Sequence, residues 1–306
     1  MRNRRAFGML AVIVLLGQAA VNCGSPAPMT AGATPHGSPC ATAPPHPSPS
    51  VPSVPGTPGT PDTPGTPGTP GTPGASGTPP ASGPAPGPTG EPEGTGRWGR
   101  PVVEDGFERL DRRVWGVYDD PGGEYPRVPE AVRVSDGALR LSGGFYGGAD
   151  MSGGVGMEHA QKYGRWVVRL RVDRGAGYSA VALLWPEDER EPHEEVDFVE
   201  TADPRRQVVP QFIHRGGGRA DNRMRADFTT WRVVAVDWLP DRMTFWLDGR
   251  VVWDYRGELI PRNGPMSLAL QLDKVCDRWA PCRDEHTPPF VTMHVDWVKV
   301  YRAPRG

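Results

Sequence analysis

Three carboxylates, Glu195, Asp197 and Glu200, interrupt an otherwise apolar stretch of six residues. Side chains alternate along a strand, so Glu195 and Asp197 share a face, and a β-bulge before Glu200 would bring it to that face too. One ionised carboxylate could then attack a sugar carbon while a protonated one donates to the leaving oxygen and later activates water. We expect the Glu195 and Glu200 carboxyl groups to lie near the separation of about 5–5.5 Å that suits double displacement. Asp197 would hydrogen-bond the nucleophile and help keep the acid protonated.

The elements that must position these carboxylates are β-strands. Asp136-Gly137 and Asp248-Gly249 are flanked by apolar residues and predict tight hairpins. Apolar or alternating runs predict further strands at 166–172, 181–184, 208–214, 231–238, 267–272 and 291–301. About a dozen strands without crossover helices predict an all-β fold, an antiparallel sandwich of two sheets with one concave face as a groove.

The carboxylate segment resembles the ExDxxE motif of glycoside hydrolase family 16, the group of laminarinases, agarases and carrageenases. Three further blocks, at 162–166, 231–249 and 295–301, resemble the same family in the same order. The resemblance covers nearly all of 98–302. It implies a concanavalin-like jelly-roll β-sandwich and a retaining, endo-acting glycosidase that cleaves a β-linked polysaccharide, either a β-glucan or a galactan.

By this resemblance Glu195 takes the nucleophile position, Asp197 the assisting position and Glu200 the acid/base position. Two alternatives stay open. A lectin-like domain would bind polysaccharide without cutting it, although it has no use for a buried acid/base pair. A transglycosylase acting on a wall glycan would form the same intermediate and pass it to a sugar in place of water.

Three residues outside the motif are candidates for substrate binding. Gln271 lies on a late strand whose polar positions contact sugar in the family, and His214 ends the strand after the catalytic one. An ordinary surface position is the alternative for both. Ala182 stands where many members carry a sugar-stacking tryptophan, and Trp185 is the candidate to replace it. Glu194 directly precedes the nucleophile position and should point away from the groove.

Several other features of the domain are expected to be structural, with the glycine-rich stretch as a cleft loop. His193 belongs to a charged loop that we expect to be solvated, and the glycine-rich stretch 143–156 predicts a mobile cleft loop, not a phosphate loop. Cys276 and Cys282 are six residues apart and are expected to pair and pin a loop. Asp296 resembles a position that helps to bind a structural calcium in many family members; no cofactor is expected to be required.

The chain before Trp98 has a different composition from the rest. Of the 37 prolines in the whole sequence, 22 lie between Cys23 and Arg97, and that stretch contains no aromatic residue. It has no means to offset the entropy of ordering, so 23–97 is predicted to be a disordered linker. The domain is predicted to occupy 98–306, which holds all the aromatic residues but Phe7. A net charge of −2, without a basic stripe, argues against nucleic acid as a partner.

Residues 1–22 have the layout of an export signal. Arginines at positions 2, 4 and 5 precede an apolar run that is too short for a good membrane span. The segment from Ala20 to Cys23 resembles a bacterial lipoprotein box, in which the cysteine is acylated; cleavage near Ala20 and release is the alternative. We therefore expect an exported monomer that is either extracellular or anchored at the cell surface through acylated Cys23.

Overall fold

The computed structural model describes residues 90–92, 94–188 and 192–304. The predicted export signal, Cys23 and most of the predicted linker lie outside these residues, so they stay predictions. Within the described ranges, no helix has both the length and the apolar character needed to cross a membrane.

The described residues form sixteen strands and two short 3-10 helices, Thr95–Trp98 and Pro129–Ala131. In chain order the strands are β1 (Val103–Asp105), β2 (Trp115–Val117), β3 (Val132–Ser135), β4 (Ala138–Tyr146), β5 (Ala149–Met151), β6 (Gly154–Gln161), β7 (Gly164–Val172), β8 (Tyr178–Pro186), β9 (Glu194–Thr201), β10 (Val208–Arg215), β11 (Gly218–Arg225), β12 (Arg232–Leu239), β13 (Arg242–Leu247), β14 (Arg250–Tyr255), β15 (Met266–Lys274) and β16 (Phe290–Arg302).

These strands form two sheets. The nine-stranded sheet has the order β14-β13-β12-β7-β16-β4-β3, with β1 added on β16 and β5 on β4. The seven-stranded sheet has the order β11-β10-β9-β8-β15-β6-β2, which places the carboxylate strand β9 between β8 and β10. Neighbouring strands that hydrogen-bond to each other are antiparallel in every case. The predicted antiparallel sandwich of two sheets is confirmed.

The main core lies between the two sheets. Alternate residues of β7 and β12, such as Trp166 and Trp238, are fully buried there, with ring centroids 6.3 Å apart. Val196 and Phe198 of β9 also enter this core, as their alternation with the carboxylates predicts. The carboxylates of β9 therefore lie on the other face of the seven-stranded sheet, away from the main core.

Both predicted Asp-Gly hairpins are present. Asp136 and Gly137 join β3 to β4 with φ of 53° and 67°, and Asp248 and Gly249 join β13 to β14 with φ of 47° and 82°. Positive φ at both central positions is the backbone of the primed turn that matches strand twist, and Asp-Gly adopts it at low cost.

The glycine-rich stretch 143–156 is mostly strand, with a tight turn at Gly147 and Gly148, so the prediction of a mobile cleft loop was wrong. It supplies the end of β4, all of β5 and the start of β6. A Cβ at Gly143 would lie 2.2 Å from Cε1 of Tyr178, and one at Gly154 would lie 2.6 Å from Cδ2 of Tyr118. These glycines let aromatic rings pack directly on the strand backbone.

Candidate active site

A β-bulge in β9 brings the three carboxylates to one face of the sheet. In the ladder between β8 and β9, Ala182 pairs with Val199 and Leu183 pairs with Asp197, so Phe198 is the extra residue. After this shift Glu200 pairs with Val181. Val181 and Leu183 are two residues apart on β8 and share a face, and so do their partners Asp197 and Glu200. The predicted bulge is confirmed.

We call this face of the seven-stranded sheet, opposite the main core, the site face. Its apolar members form a small cluster of their own, separate from the core: Tyr118, Val181, Leu183, Trp185 and Ala269. Directly across from Glu195 and Asp197, on β10, lie His214 and Phe212. The carboxylates therefore sit on a partly apolar floor in the middle of the sheet.

Asp197 favours its protonated form in this arrangement. Its carboxyl group is hydrogen-bonded to that of Glu195, and burial followed by the charges of Glu195 and Glu200 raises the pKa of Asp197 well above its usual range. Burial also raises the pKa of Glu195, but His193 and the hydrogen bond from Asp197 act in the opposite direction. The hydrogen bond between them therefore favours Asp197 as the donor and Glu195 as the acceptor.

Glu200 is suited to exchange a proton near neutrality. Burial, then the charges of Glu195 and Asp273, raise the pKa of Glu200 to about 7, whereas Arg219 lowers it. A carboxylic acid with such a pKa can donate a proton in one step and accept one in the next.

Two histidines contact the carboxylates from different directions. His214 Nε2 lies 3.6 Å from Asp197 Oδ2, and burial, assisted by Arg219, lowers the pKa of His214 to about 4. His193 Nε2 lies 3.2 Å from Glu195 Oε2, with a side chain that is only 23% exposed. The prediction of a solvated position for His193 was wrong, because the chain just before β9 folds back over the site face.

Glu194 points away from the carboxylates, as predicted. Its carboxylate is 1% exposed and accepts hydrogen bonds from the backbone N–H groups of Arg262 (2.8 Å) and Asn263 (2.9 Å) and from Arg215 Nε (3.0 Å). This buried, fully bonded carboxylate fixes the start of β9 against the segment before β15.

The predicted substrate ligands lie on the site face, but little of their surface is open. His214 and Trp185 are each 7% exposed, and Gln271 is fully buried. Gln271 Nε2 donates to Asp273 Oδ2 at 3.1 Å, while its buried Oε1 has no hydrogen-bond partner among the described residues. Ala182 belongs to the core and not to the site face, so it does not stand at a sugar-stacking position. The residues of β8 that lie on the site face are Val181, Leu183 and Trp185.

Sequence reasoning missed a buried ion pair beside the carboxylates. Arg127 donates to Asp273 Oδ1 through Nε (3.0 Å) and Nη2 (2.5 Å), and both side chains are 4% exposed. The guanidinium lies 5.3 Å from the ring centroid of Tyr118 and 5.6 Å from that of Tyr125. The two partners are 146 residues apart, and no local pattern in the sequence joins them.

The predicted disulfide between Cys276 and Cys282 is present. Inside the loop it closes, Asp277 Oδ1 accepts from the backbone N–H groups of Trp279 (2.7 Å) and Ala280 (2.9 Å). Asp277 also raises the pKa of Glu200, so the loop lies at the Glu200 side of the carboxylates.

The surroundings of Asp296 do not fit a calcium ion. Its carboxylate accepts a hydrogen bond from the Arg169 guanidinium, and a fixed positive charge there opposes a cation. Within the described residues, no group of three or more His, Cys, Asp or Glu side chains could hold a metal ion. The expected calcium site at Asp296 therefore gains no support from the structure.

Residues 129–298 match the family described as Glycosyl hydrolases family 16. No curated protein sequence matches the chain.

Several solved structures share the fold. Bacillus licheniformis β-glucanase aligns over 66% of this chain and 98% of its own, with a TM-score of 0.59 and 17% sequence identity. The laminarinase catalytic domain of Thermotoga maritima aligns over 67% and 99%, with a TM-score of 0.59 and 17% identity. A laminarinase from a Flavobacterium species aligns over 66% and 100%, with a TM-score of 0.59 and 18% identity. At these identities the likeness shows the fold, and the predicted all-β jelly-roll sandwich is confirmed.

Proposed function

The chain belongs to glycosyl hydrolase family 16 and is a glycosidase, and from this premise we propose that it cleaves a β-linked polysaccharide internally with retention of configuration. Glu195 is the nucleophile, Asp197 assists it and Glu200 is the acid/base residue. The observation that supports these roles is the bulge at Phe198, which brings three carboxylates with different proton affinities to one face.

The reaction takes place in two steps. A Glu195 carboxylate oxygen bonds to the anomeric carbon while the glycosidic C–O bond breaks and Glu200 gives its proton to the leaving oxygen. Water then attacks the same carbon, Glu200 takes up a water proton, and the ester bond to Glu195 breaks. Each step inverts the anomeric carbon, so the β-configuration returns in the product.

The hydrogen bond from Asp197 to Glu195 serves both steps. It leaves Glu195 without the proton, which a nucleophile requires, and it stabilises the carboxylate again when the ester breaks. His214, Trp185 and Gln271 are proposed substrate ligands, since all three lie on the same face as the carboxylates. No cofactor enters either step.

The substrate is proposed to be a β-glucan or a galactan. Laminarin and lichenan should be tested first, because the matching structures include a β-glucanase and two laminarinases. Agarose, porphyran and carrageenans complete the panel. Reducing-sugar release, with product lengths read by mass spectrometry, identifies the substrate and distinguishes internal from terminal cleavage.

Glu195→Gln and Glu200→Gln are the decisive variants. We expect each to lower kcat/KM on the active substrate by about 10³-fold or more, because each removes a group that bonds or transfers a proton in the transition state. Glu285→Gln is the matched control, since the Glu285 side chain is 87% exposed and has no part in the proposed steps. Proton NMR of the first product should show the β-anomer.

Other outcomes would contradict the proposal in defined ways. An α-anomer as the first product rules out retention. Full activity in Glu195→Gln rules out the nucleophile assignment. Products longer than the starting oligosaccharide would show transfer to a sugar in place of hydrolysis.

Export belongs to the same proposal, because a polysaccharide substrate lies outside the cell. The 1–22 segment carries the signal and Cys23 the proposed acyl group. Fractionation of cells that express the full chain tests this: a cytoplasmic protein contradicts export, and equal release of wild type and Cys23→Ala contradicts the lipid anchor.

A further inference from the structure

We infer that His193 is a positioning residue that holds the Glu195 carboxylate in place through a hydrogen bond from its imidazole N–H. This inference rests on the proposed function, in which Glu195 is the nucleophile. The contact joins His193 Nε2 and Glu195 Oε2 at 3.2 Å. The carboxylate oxygen can only accept, so Nε2 carries the hydrogen and donates.

The imidazole ring is oriented by packing. Its centroid lies 5.0 Å from that of Trp185, with 57° between the ring planes. The Glu195 side chain is 6% exposed, so the hydrogen bond lies where water competes weakly. A donor in such a place restricts the carboxylate to few orientations.

The backbone around His193 is held on both sides. Asn263 Nδ2 donates to Pro192 O at 2.7 Å, and Gly216 N donates to His193 O at 2.7 Å. Glu194 is tied to the same segment, since it accepts from the backbone N–H of Asn263 at 2.9 Å. These hydrogen bonds fix the backbone position of His193 before β9, as expected for a residue that positions a neighbouring side chain.

The titratable groups that face Glu195 within the described residues include Asp197 and Glu200 on β9, His214 on β10 and Asp273 on β15. The three acids cannot supply positive charge, and His214, with its pKa lowered to about 4, is neutral above that pH. Within the described residues, Glu195 has no salt bridge to lysine or arginine.

Removal of the donor should therefore affect both rate and pH dependence. A donor next to a carboxylate favours its ionised form, so its loss raises the pKa of Glu195. Less of the enzyme then carries the ionised nucleophile at acidic pH. The acidic limb of kcat/KM moves to higher pH, and formation of the covalent intermediate slows.

Four variants of the full chain separate the hydrogen bond from packing. His193→Phe keeps a ring against Trp185 without a donor, His193→Gln keeps an N–H donor at similar reach without the ring, and His193→Ala removes both. His286→Ala is the control, because that side chain is 85% exposed. We measure kcat and KM against pH on the active polysaccharide, and the rate of Glu195 labelling by a 2-deoxy-2-fluoro glycoside.

The expected result is a loss of about 10- to 100-fold in kcat and in labelling rate for the Phe and Ala variants, the range for a hydrogen bond to a charged group. Their acidic limb should move up by about half a pH unit or more. The Gln variant should stay within about threefold of wild type, and the control should be unchanged. Equal losses in Phe and Gln, or a rise in KM at constant kcat, would overturn the inference.

A second readout does not depend on activity. In long-range ¹H–¹⁵N spectra of the full chain, Glu195→Gln should lower the pKa of His193 by about half a unit or more, because it removes the adjacent negative charge. An unchanged titration overturns the inference. An inactive wild type with the expected titration instead contradicts the proposed function and leaves the contact established.

Discussion

At the scale of single residues, the proton on Glu200 should govern activity near neutral pH. Burial and the charges of Glu195 and Asp273 raise its pKa to about 7, and Arg219 opposes them. An acid must be protonated to donate, so activity should fall as pH rises through that pKa.

Arg219→Gln should move the alkaline limb of kcat/KM to higher pH. The arginine favours the ionised form of Glu200, so its removal raises the Glu200 pKa and preserves the protonated acid further into the alkaline range. A shift of about half a unit is expected from one partly screened charge.

Arg256→Gln is the control, since that side chain is 58% exposed and pairs with Asp254 in the other sheet. An alkaline limb that stays in place in Arg219→Gln, or moves to lower pH, would show that Glu200 is not the group that titrates there.

At the scale of elements, strand β9 is held by its bulge and by Glu194. The bulge at Phe198 sets which carboxylates share a face, and Glu194 ties the first residue of the strand to Arg215, Arg262 and Asn263. A strand fixed at its start carries the three carboxylates as a rigid unit.

Glu194→Ala should destabilise the fold by about 2–4 kcal/mol. It leaves the backbone N–H groups of Arg262 and Asn263 and the Arg215 guanidinium without their buried acceptor, and each such loss costs at most about 1–3 kcal/mol before relaxation. Glu194→Gln should cost less, because one carbonyl oxygen remains. Urea denaturation with an unchanged m-value measures the difference.

Glu285→Ala is the matched control for that experiment, because Glu285 is 87% exposed. A loss below about 0.5 kcal/mol in Glu194→Ala, the range of ordinary surface changes, would show that the anchor at the start of β9 is not needed.

At the scale of the whole molecule, the Arg127–Asp273 pair joins distant parts of the chain at the site. Arg127 precedes β3 and Asp273 lies near the end of β15. Burial raises the pKa of Asp273 and Arg127 lowers it, so the guanidinium helps to keep that carboxylate ionised.

Arg127→Met should destabilise the protein by about 3–5 kcal/mol, because it leaves Asp273 as a buried carboxyl group without its partner. Adding Asp273→Leu should recover most of that loss, since an apolar pair can replace a buried ion pair at little cost. A double-mutant cycle by chemical denaturation measures the coupling; additive losses in the double variant would contradict it.

The sequence was sufficient where the signal is local. Alternation of apolar and polar residues identified the strands, Asp-Gly pairs identified two hairpins, and the spacing of Glu195, Asp197 and Glu200 implied the bulge. Each of these features depends on residues that are neighbours in the chain, and strand geometry translates such spacing directly into faces.

Other features could not be predicted in this way. Glycines at 143–156 have the same composition whether they form a loop or make room for Tyr178 and Tyr118, and only packing distinguishes the two. The sequence resemblance predicted that Ala182 lies on the site face, whereas its side chain lies in the main core. The prediction was wrong because a one-residue difference in strand register exchanges the two faces of a strand.

The sequence by itself determined the all-β class, the family and the three carboxylates of the site. Only the tertiary structure decided which groups surround these carboxylates. His193 contacts Glu195, His214 contacts Asp197, and Arg127 pairs with Asp273, which lies close enough to Glu200 to affect its pKa. The physical reason is range. Strand pattern and turns are set by adjacent residues, whereas His214 and Arg127 are brought to the site from distant parts of the chain by strand order and register. His193 is a near neighbour of Glu195 in the chain, but Gly216 and Asn263, which hold its backbone in place, are distant.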